Sequence, residues 1–355
     1  MGVIANPASG RDIRRLVTGA SVFDNAEKGS MIHRLMAGLG AAGVAEVLMM
    51  PAADGISTRL VRGLRSHTGE RARQRLPELR FLPVRTQGTW RDTVEATEAM
   101  LTRDVQAIVV LGGDGTHRIV ARHCGDVPLC ALSTGTNNCF PEMREATVAG
   151  LATGLLARGA VNGSHSVRRA KVLHIDRDGE LGADCALVDV AVSGARFSGA
   201  RALWRAGDVS EVFVAFATAS AVGWSAVAGL LDTVPRDAPH GLHVRLADPG
   251  DAPRVVKIPL APGLVAPVGV TAARRLQPGE AVAVAAREGS IALDGERELE
   301  LRPGQRVDVR LSERGPFTID IDAVMAEAAS GGLLEDGSPA AVQARAEVEA
   351  SSEPA

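Results

Sequence analysis

The chain has 355 residues, of which 46% are hydrophobic, and its formal net charge is −3. This length allows two domains with a large core, and the apolar content excludes a disordered chain. Because acidic residues at the C-terminus account for the negative charge, the rest is close to neutral, which disfavours a general nucleic-acid-binding protein and favours a small-molecule site.

Short apolar runs alternate with helical segments in the first half of the chain. The strand candidates are GVIAN, EVLMMP, LRFLPV, AIVVLG and PLCALST, each bounded by turn residues or charges. Among the helical candidates between them, one ends at Gly43 and another begins after a capping residue, Thr89. Near-continuous apolar strands that alternate with helices predict an α/β domain with a parallel sheet covered on both faces.

The pattern changes after about residue 160. Short, often alternating runs such as CALVDVAVS, RVVKIPLA and RVDVRL are separated by Gly, Pro or Asp, which predicts an antiparallel all-β domain. One helical insert, ASAVGWSAVAGLLDTV, interrupts it. We predict a first domain over 1–160, a β-rich domain over 161–328 and an acidic, disordered tail over 329–355.

Three loops that follow first-half strands combine glycine with short polar side chains. They are NPASG from Asn6, GGDGT from Gly112 and STGTNN from Ser133. Glycine lets backbone N–H groups approach an anion closely and adopts positive φ where required, and a helix that starts there points its positive dipole end at a phosphate. Each loop alone is an ordinary turn, but three at one end of a sheet favour a nucleotide-phosphate site.

Asp114 is the unexpected member of the GGDGT loop, since a carboxylate repels phosphate. Two interpretations remain open: Asp114 faces a Mg²⁺ ion, or it accepts the proton of a substrate hydroxyl. Both belong to phosphoryl transfer. His117 is interpreted either as a phosphate contact or, more simply, as a solvated neighbour in the first helical turn. Trp204 and Trp224 are either core anchors or rings that stack on a nucleotide base.

The cysteines and the apolar runs bear on location. The four cysteines have no C-x-x-C spacing, which disfavours a structural zinc site. No signal peptide is recognised, and charged residues interrupt every apolar run before it reaches the length of a bilayer span. We therefore expect a cytoplasmic protein with reduced thiols and no membrane or nucleic-acid partner.

The loops also carry a family resemblance. GGDGT after an apolar strand, followed by GTNN after the next, resembles the superfamily of NAD kinases, diacylglycerol-type lipid kinases and 6-phosphofructokinases. More narrowly, IANPASGRDIRRLV, SVFDNAEKG and GGDGTHRIVARHCGDVPLCALSTGTNNCFPEM resemble the NAD-kinase-like group of acetoin-catabolism protein X. The resemblance covers roughly residues 2–324.

The resemblance implies a fold and an activity. The fold is a Rossmann-like (phosphofructokinase-like) parallel-sheet domain followed by a NAD-kinase-like antiparallel β-sandwich. The activity is ATP- and Mg²⁺-dependent transfer of a γ-phosphoryl group to a ribose hydroxyl of NAD, with a link to acetoin catabolism, by a homo-oligomer (dimer or tetramer). Asp114 matches the aspartate held to be the general base or the organiser of the reacting hydroxyl. The residues implied in nucleotide binding are Asn6, Ser9, Gly10, Gly112, Gly113, Gly115, Thr116, Thr134, Gly135, Thr136, Asn137, Asn138 and Asp189.

Two features keep other functions open, a departure from the NAD kinases and a match to the lipid kinases. Val188 stands where NAD kinases have an Asn before the acid that corresponds to Asp189. LDGE matches the Asp-Gly-Glu of bacterial lipid kinases, where Glu296 would be a catalytic base, although Asp-Gly between apolar runs also predicts a plain hairpin. The alternatives are therefore a lipid or polyol kinase and a catalytically weak sensor of NAD or ATP.

Overall fold

The computed structural model describes residues 1–7, 23–52, 55–65, 75–194 and 206–335, with the side chains of 206 and 296–298 excepted. Ser9, Gly10, Trp204 and most of the acidic tail lie outside these residues. No helix in the described ranges is both long enough and apolar enough to cross a bilayer.

The first half forms the predicted parallel sheet. Its first five strands are β1 (Gly2–Ala5), β2 (Glu46–Met49), β3 (Glu78–Phe81), β4 (Ile108–Gly112) and β5 (Leu129–Ser133). They pair in parallel in the order β3-β2-β1-β4-β5. The helices among these strands are α1 (Asn25–Ala41), α2 (Ile56–Arg65), α3 (Trp90–Leu101), α4 (Asp114–His123) and α5 (Ala146–Ala157). The α/β prediction for this half is confirmed.

Both faces of this sheet are buried, as the near-continuous apolar strands predict. On one face Val109 packs in a core with Leu35 of α1. On the other face Val110 packs in a second core with Met100 of α3 and Val120 of α4. Adjacent residues of β4 therefore serve opposite cores, which is why the strand reads as an uninterrupted apolar run rather than an alternating one.

The second half is antiparallel. It begins with the short helix α6 (Gly163–Ser166) and β6 (Val167–Arg169), and a longer helix, α7 (Ser225–Leu231), lies among its strands. The remaining strands are β7 (Val172–Arg177), β8 (Glu180–Ala186), β9 (Asp189–Ser193), β10 (Val209–Val214), β11 (Gly241–Ala247), β12 (Arg254–Ala261), β13 (Leu264–Leu276), β14 (Ala281–Ala283), β15 (Gly289–Leu293), β16 (Glu296–Leu301) and β17 (Val307–Ser312).

These strands form two sheets that share a core. One sheet has the order β12-β13-β11-β10-β9-β15-β16 and the other has the order β14-β17-β7-β8. Phe213 and Ile291 of the larger sheet pack with Ile175 and Val309 of the smaller one. The helix α7 covers the opposite face of the larger sheet, where Trp224 is buried. The antiparallel β-sandwich is confirmed, and Trp224 is a core residue.

The chain then returns to the first sheet. The strand β18 (Phe317–Ile319) pairs in parallel with β5 and antiparallel with β6. The helix α8 (Ile321–Ser330) follows, and its Val324 and Ala328 are fully buried in the core shared by α1 and α5. The end of the segment assigned to the β-rich domain thus packs on the first domain, because its apolar side chains are buried there. The helix also extends past residue 329, where the tail was predicted to begin.

Candidate functional site

The loops after β1, β4 and β5 lie side by side, because these three strands are neighbours in the parallel sheet. The first two loops are joined directly: Asn6 Nδ2 donates to Thr116 Oγ1 at 3.1 Å. The second and third are joined through the backbone, where Thr134 N donates to the carbonyl oxygen of Gly112 at 3.2 Å. The structure therefore brings together the described parts of all three loops at one edge of the sheet.

Asp114 connects the GGDGT loop to the loop after β5. It lies in the first turn of α4, whose N-cap is Gly113. Its carboxylate accepts the N–H of Cys139, at 3.1 Å from each oxygen, and the N–H of Phe140, at 2.8 Å from Oδ1. In this arrangement the carboxylate anchors residues 139 and 140 beside the start of α4. Its role as base or hydroxyl organiser stays a prediction.

Glycine is needed in the GGDGT loop for close packing rather than for positive φ. A Cβ added at Gly112 would lie 2.8 Å from Thr116 Cβ, and one at Gly113 would lie 3.0 Å from Asn138 Oδ1. The φ of Gly113 is −96°, which any residue can adopt. The small residues thus let the second and third loops approach each other and the start of α4.

The loop after β5 is held by its own polar groups. Ser133 Oγ donates to the carbonyl oxygen of Gly135 at 2.6 Å and accepts from Asn138 Nδ2 at 2.8 Å. Thr134 is buried, whereas Thr136 is exposed and Asn137 is half-buried. Gly115 lies in the first turn of α4. The exposed tip of this loop and the start of α4 are the parts that a bound nucleotide could reach.

His117 is not a solvated neighbour, and that interpretation is wrong. The side chain is fully buried, with Nδ1 2.8 Å from the carbonyl oxygen of Gly113 and the ring 5.8 Å from that of Phe140. Burial lowers the pKa of His117 to about 4, against the opposing effect of the bond to Gly113. A neutral imidazole therefore donates to the carbonyl that also begins the hydrogen bonding of α4.

A second carboxylate, which the sequence reasoning missed, lies behind the site. Asp294 occupies the turn between β15 and β16 with a φ of +52°, and its buried carboxylate accepts the N–H groups of Leu187 at 3.1 Å and Val188 at 2.7 Å. It thereby fixes the start of β9, where the predicted dinucleotide contact Asp189 is buried. The signal in the sequence was Asp-Gly itself, since αL favours Asp at such a turn.

Charges around Asp294 come from both halves of the chain. Arg118 of α4 places Nε 3.7 Å from Asp294 Oδ2 and Nη1 3.3 Å from Asp184 Oδ1. Burial raises the pKa of Asp294 to about 8; Arg118 opposes this, and the negative charges of Asp114 and Asp189 add to it. Asp114 and Asp189 thus place Asp294 in a region of negative potential, with Arg118 as a neighbouring cation.

Glu296 follows this turn as the first residue of β16, and its side chain lies outside the described residues. The positive φ values of Asp294 and Gly295, +52° and +82°, confirm the hairpin interpretation of LDGE. A catalytic role for Glu296 stays a prediction.

Lys28 is another residue that the sequence reasoning missed. It is buried on α1, where its Nζ donates to the carbonyl oxygen of Asn6 at 3.0 Å and to Asn25 Oδ1 at 3.2 Å. The ammonium group therefore lies under the start of the NPASG loop. The available signal was its spacing: Lys28 precedes Met31 and Ile32, which belong to the buried face of the helix, by one helical turn.

The residues that the structure describes include no group of three His, Cys, Asp or Glu side chains that could hold a metal ion. The carboxylates of Asp114 and Asp294 are also engaged by backbone N–H groups. A Mg²⁺ ion held by this chain would therefore need other ligands, and Mg²⁺ ordinarily takes them from nucleotide phosphates and water.

Comparison with known families identifies both halves of the chain. Residues 1–160 match the family model described as the ATP-NAD kinase N-terminal domain. Residues 171–314 match the model described as the acetoin catabolism protein X C-terminal domain. Acetoin catabolism protein X of Cupriavidus necator is 42% identical over 346 residues, which span 96% of this chain and 96% of that protein.

Two solved structures resemble this chain at low sequence identity. Yeast NADH kinase complexed with NADH is 14% identical with a TM-score of 0.46, over 95% of this chain and 89% of that chain. A diacylglycerol kinase-like protein of Bacillus anthracis str. Sterne is 13% identical with a TM-score of 0.47, over 90% of this chain and 96% of that chain.

Proposed function

The chain belongs to the family of acetoin catabolism protein X, and from this premise we propose that it is an ATP-dependent kinase that phosphorylates a ribose hydroxyl of NAD. The observation that carries the proposal is the position of Asp114. Its carboxylate joins the loops after β4 and β5 at the start of α4. A carboxylate beside a helix N-terminus places a proton acceptor next to a phosphate-binding position.

The phosphates of ATP would lie against the start of α4. The dipole of the helix favours an anion at its N-terminus. Asn6 and Thr116 hold the first loop against this turn through the bond between their side chains. Ser9, Gly10, Thr136 and Asn137 are proposed to complete the phosphate contacts. Mg²⁺ bound to the phosphates would neutralise their charge and take its remaining ligands from water.

Asp114 is proposed to accept the proton of the attacking hydroxyl. To do so, one oxygen would exchange its bond from a backbone N–H for one from the substrate, while Oδ1 keeps the N–H of Phe140. The γ-phosphorus then forms a bond to the ribose oxygen and loses its bond to the bridging oxygen of ADP. Glu296, two residues after Asp294 in the sequence, is the alternative base.

The test is mass spectrometry of the products formed from ATP, Mg²⁺ and NAD. We expect a product heavier than NAD by one phosphoryl group, and a loss of at least a hundredfold in turnover for Asp114→Asn. Asp251→Asn, at an exposed turn between β11 and β12, is the matched control and should retain full turnover. Unchanged turnover of Asp114→Asn would contradict the role of Asp114, and no product from the unmodified protein would contradict the NAD kinase assignment.

One observation favours a second candidate, a protein that binds NAD or ATP without turnover. Both oxygens of Asp114 already accept backbone N–H groups, which is what a purely structural carboxylate would do. Titration calorimetry separates the two functions: dinucleotide binding without a phosphorylated product supports the sensor. A lipid or polyol kinase is tested by offering diacylglycerol in vesicles in the same mass assay, with Glu296→Gln as its variant.

A further inference from the structure

Arg236, which the sequence reasoning did not single out, contacts the loop that carries the partners of Asp114. It lies between α7 and β11, in the second half of the chain. Its Nη2 donates to the carbonyl oxygens of Cys139 and Phe140, both at 2.7 Å. Its guanidinium carbon also lies 4.2 Å from the centre of the Phe216 ring and 5.5 Å from that of Phe140. Two carbonyls and two rings thus fix one side chain.

The same peptide group lies between Arg236 and Asp114. The carbonyl oxygen of Cys139 accepts from Arg236, and the N–H of Phe140, in the same peptide unit, donates to Asp114 Oδ1 at 2.8 Å. A cation on the oxygen and an anion on the hydrogen polarise the peptide in the same direction. Each hydrogen bond therefore strengthens the other.

We infer that Arg236 is a positioning residue for Asp114, acting through the Cys139–Phe140 peptide and so linking the β-sandwich to the site on the first sheet. The inference rests on the proposed function only for its effect on turnover. Its structural part, the coupling of Arg236 to Asp114, is independent of the substrate.

The surroundings of Arg236 separate this role from ordinary packing. The residue is exposed along part of its surface, but its guanidinium packs on the buried rings of Phe140 and Phe216, where burial lowers the pKa of Arg236. Methionine can keep the contact with these rings but cannot donate to the carbonyls, so Arg236→Met separates the two roles. The guanidinium is planar and can lie over Phe216 while it donates to two carbonyls, which an ammonium group cannot reproduce. The variant Arg236→Lys should therefore retain part of the positioning role, and Arg236→Met should retain none of it.

The first readout is the hydrogen-exchange rate of the Phe140 backbone amide, measured by NMR on the full chain without substrate. For Arg236→Met and for Asp114→Asn we expect this amide to exchange at least tenfold faster, because each variant removes one end of the polarised peptide. The double variant should exchange little faster than either single variant. Arg245→Met, an exposed arginine on β11, is the control and should leave the amide unchanged.

The second readout is steady-state kinetics. We expect Arg236→Met to lower kcat about tenfold with KM for ATP within twofold, since a misplaced Asp114 affects the reacting hydroxyl more than phosphate binding. The kcat of Arg236→Lys should lie between those of Arg236→Met and the unmodified protein. The lysine variant also serves as the test if the methionine variant fails to fold. Unchanged exchange of Phe140 in Arg236→Met and Arg236→Lys, or additive effects in the double variant, would overturn the inference. Absence of turnover in the unmodified protein would overturn the proposed function and leave the exchange result decisive for Arg236.

Discussion

Arg118 Nε and Asp294 Oδ2 lie 3.7 Å apart, although one residue belongs to α4 of the first sheet and the other to a hairpin of the β-sandwich. Both side chains are almost completely buried. Behind Asp114, the two halves of the chain are thus joined by titratable polar groups rather than by apolar contact alone. Such a junction should make the stability of the protein depend on pH.

Asp294 should make the protein less stable as pH rises. Its pKa is raised to about 8 in the folded protein, chiefly by burial. An unfolded aspartate loses its proton near a pKa of about 3.9. Between these values the folded state binds more protons, so the free energy of unfolding falls with pH by at most about 1.4 kcal/mol per unit. Asp294→Asn cannot release a proton, and its denaturation midpoint measured from pH 5 to 9 should lose this component. A curve parallel to that of the unmodified protein would contradict the raised pKa.

His117 should make the protein less stable at acidic pH. Its pKa is lowered to about 4 by burial, whereas an unfolded histidine titrates near about 6.5. Below pH 6.5 the unfolded state therefore binds more protons, and stability is lost as pH falls toward 4.

The variant His117→Asn tests this directly. The asparagine amide can replace Nδ1 as donor to Gly113 but does not titrate. Thermal unfolding should show a flatter profile between pH 4 and 6.5 for this variant than for the unmodified protein. His165→Asn, at an exposed position, should leave the profile unchanged. If both variants lose stability between pH 6.5 and 4 as the unmodified protein does, a group other than His117 causes that loss.

Local patterns predicted the parallel sheet and the position of its phosphate loops. An uninterrupted apolar run such as Ile108–Leu111 is typical of a strand that is buried on both faces, and glycines directly after it mark the carboxyl end. These features are encoded within a few residues of each other. The same is true of the Asp294–Gly295 hairpin, whose turn type follows from the dipeptide.

The links between the halves could not be predicted in this way. Arg236 and Cys139 are separated by 97 positions, and no periodicity relates them. The burial of His117 depends on Phe140, which arrives from the next loop of the sheet. The return of β18 to β5 pairs two strands that are separated in the sequence by the whole β-sandwich. Such contacts are set by the assembled fold, so a single sequence shows the residues without showing their partners.

The hydrogen bond between Asn6 and Thr116 should contribute to ATP binding. Thr116→Val keeps the shape of the buried side chain and removes the acceptor for Asn6 Nδ2, at a cost of about 1 kcal/mol. We expect KM for ATP to rise severalfold, because the first loop is no longer held against α4. Thr116→Ser retains the hydroxyl and should behave like the unmodified protein. Equal KM values for the valine and serine variants would show that this bond does not organise the site.

The crossing of α1 and α5 should be intolerant of a single methyl group. A Cβ at Gly150 would lie 2.3 Å from the carbonyl oxygen of Leu35, and one at Gly38 would lie 2.1 Å from that of Thr147. Both obstacles are backbone atoms of the opposing helix, so no rotamer change relieves them, and the helices must separate. We expect Gly150→Ala to lower the free energy of unfolding by about 1–3 kcal/mol in urea titration. Gly250→Ala, where an added Cβ meets nothing within 4 Å, should change it by less than about 0.5 kcal/mol.

The same substitution should also affect the site. Because α1 carries Lys28 beneath Asn6, separation of these helices should weaken ATP binding in Gly150→Ala as well. Unaltered ATP affinity in a clearly destabilised variant would show that the helix crossing and the first loop are independent.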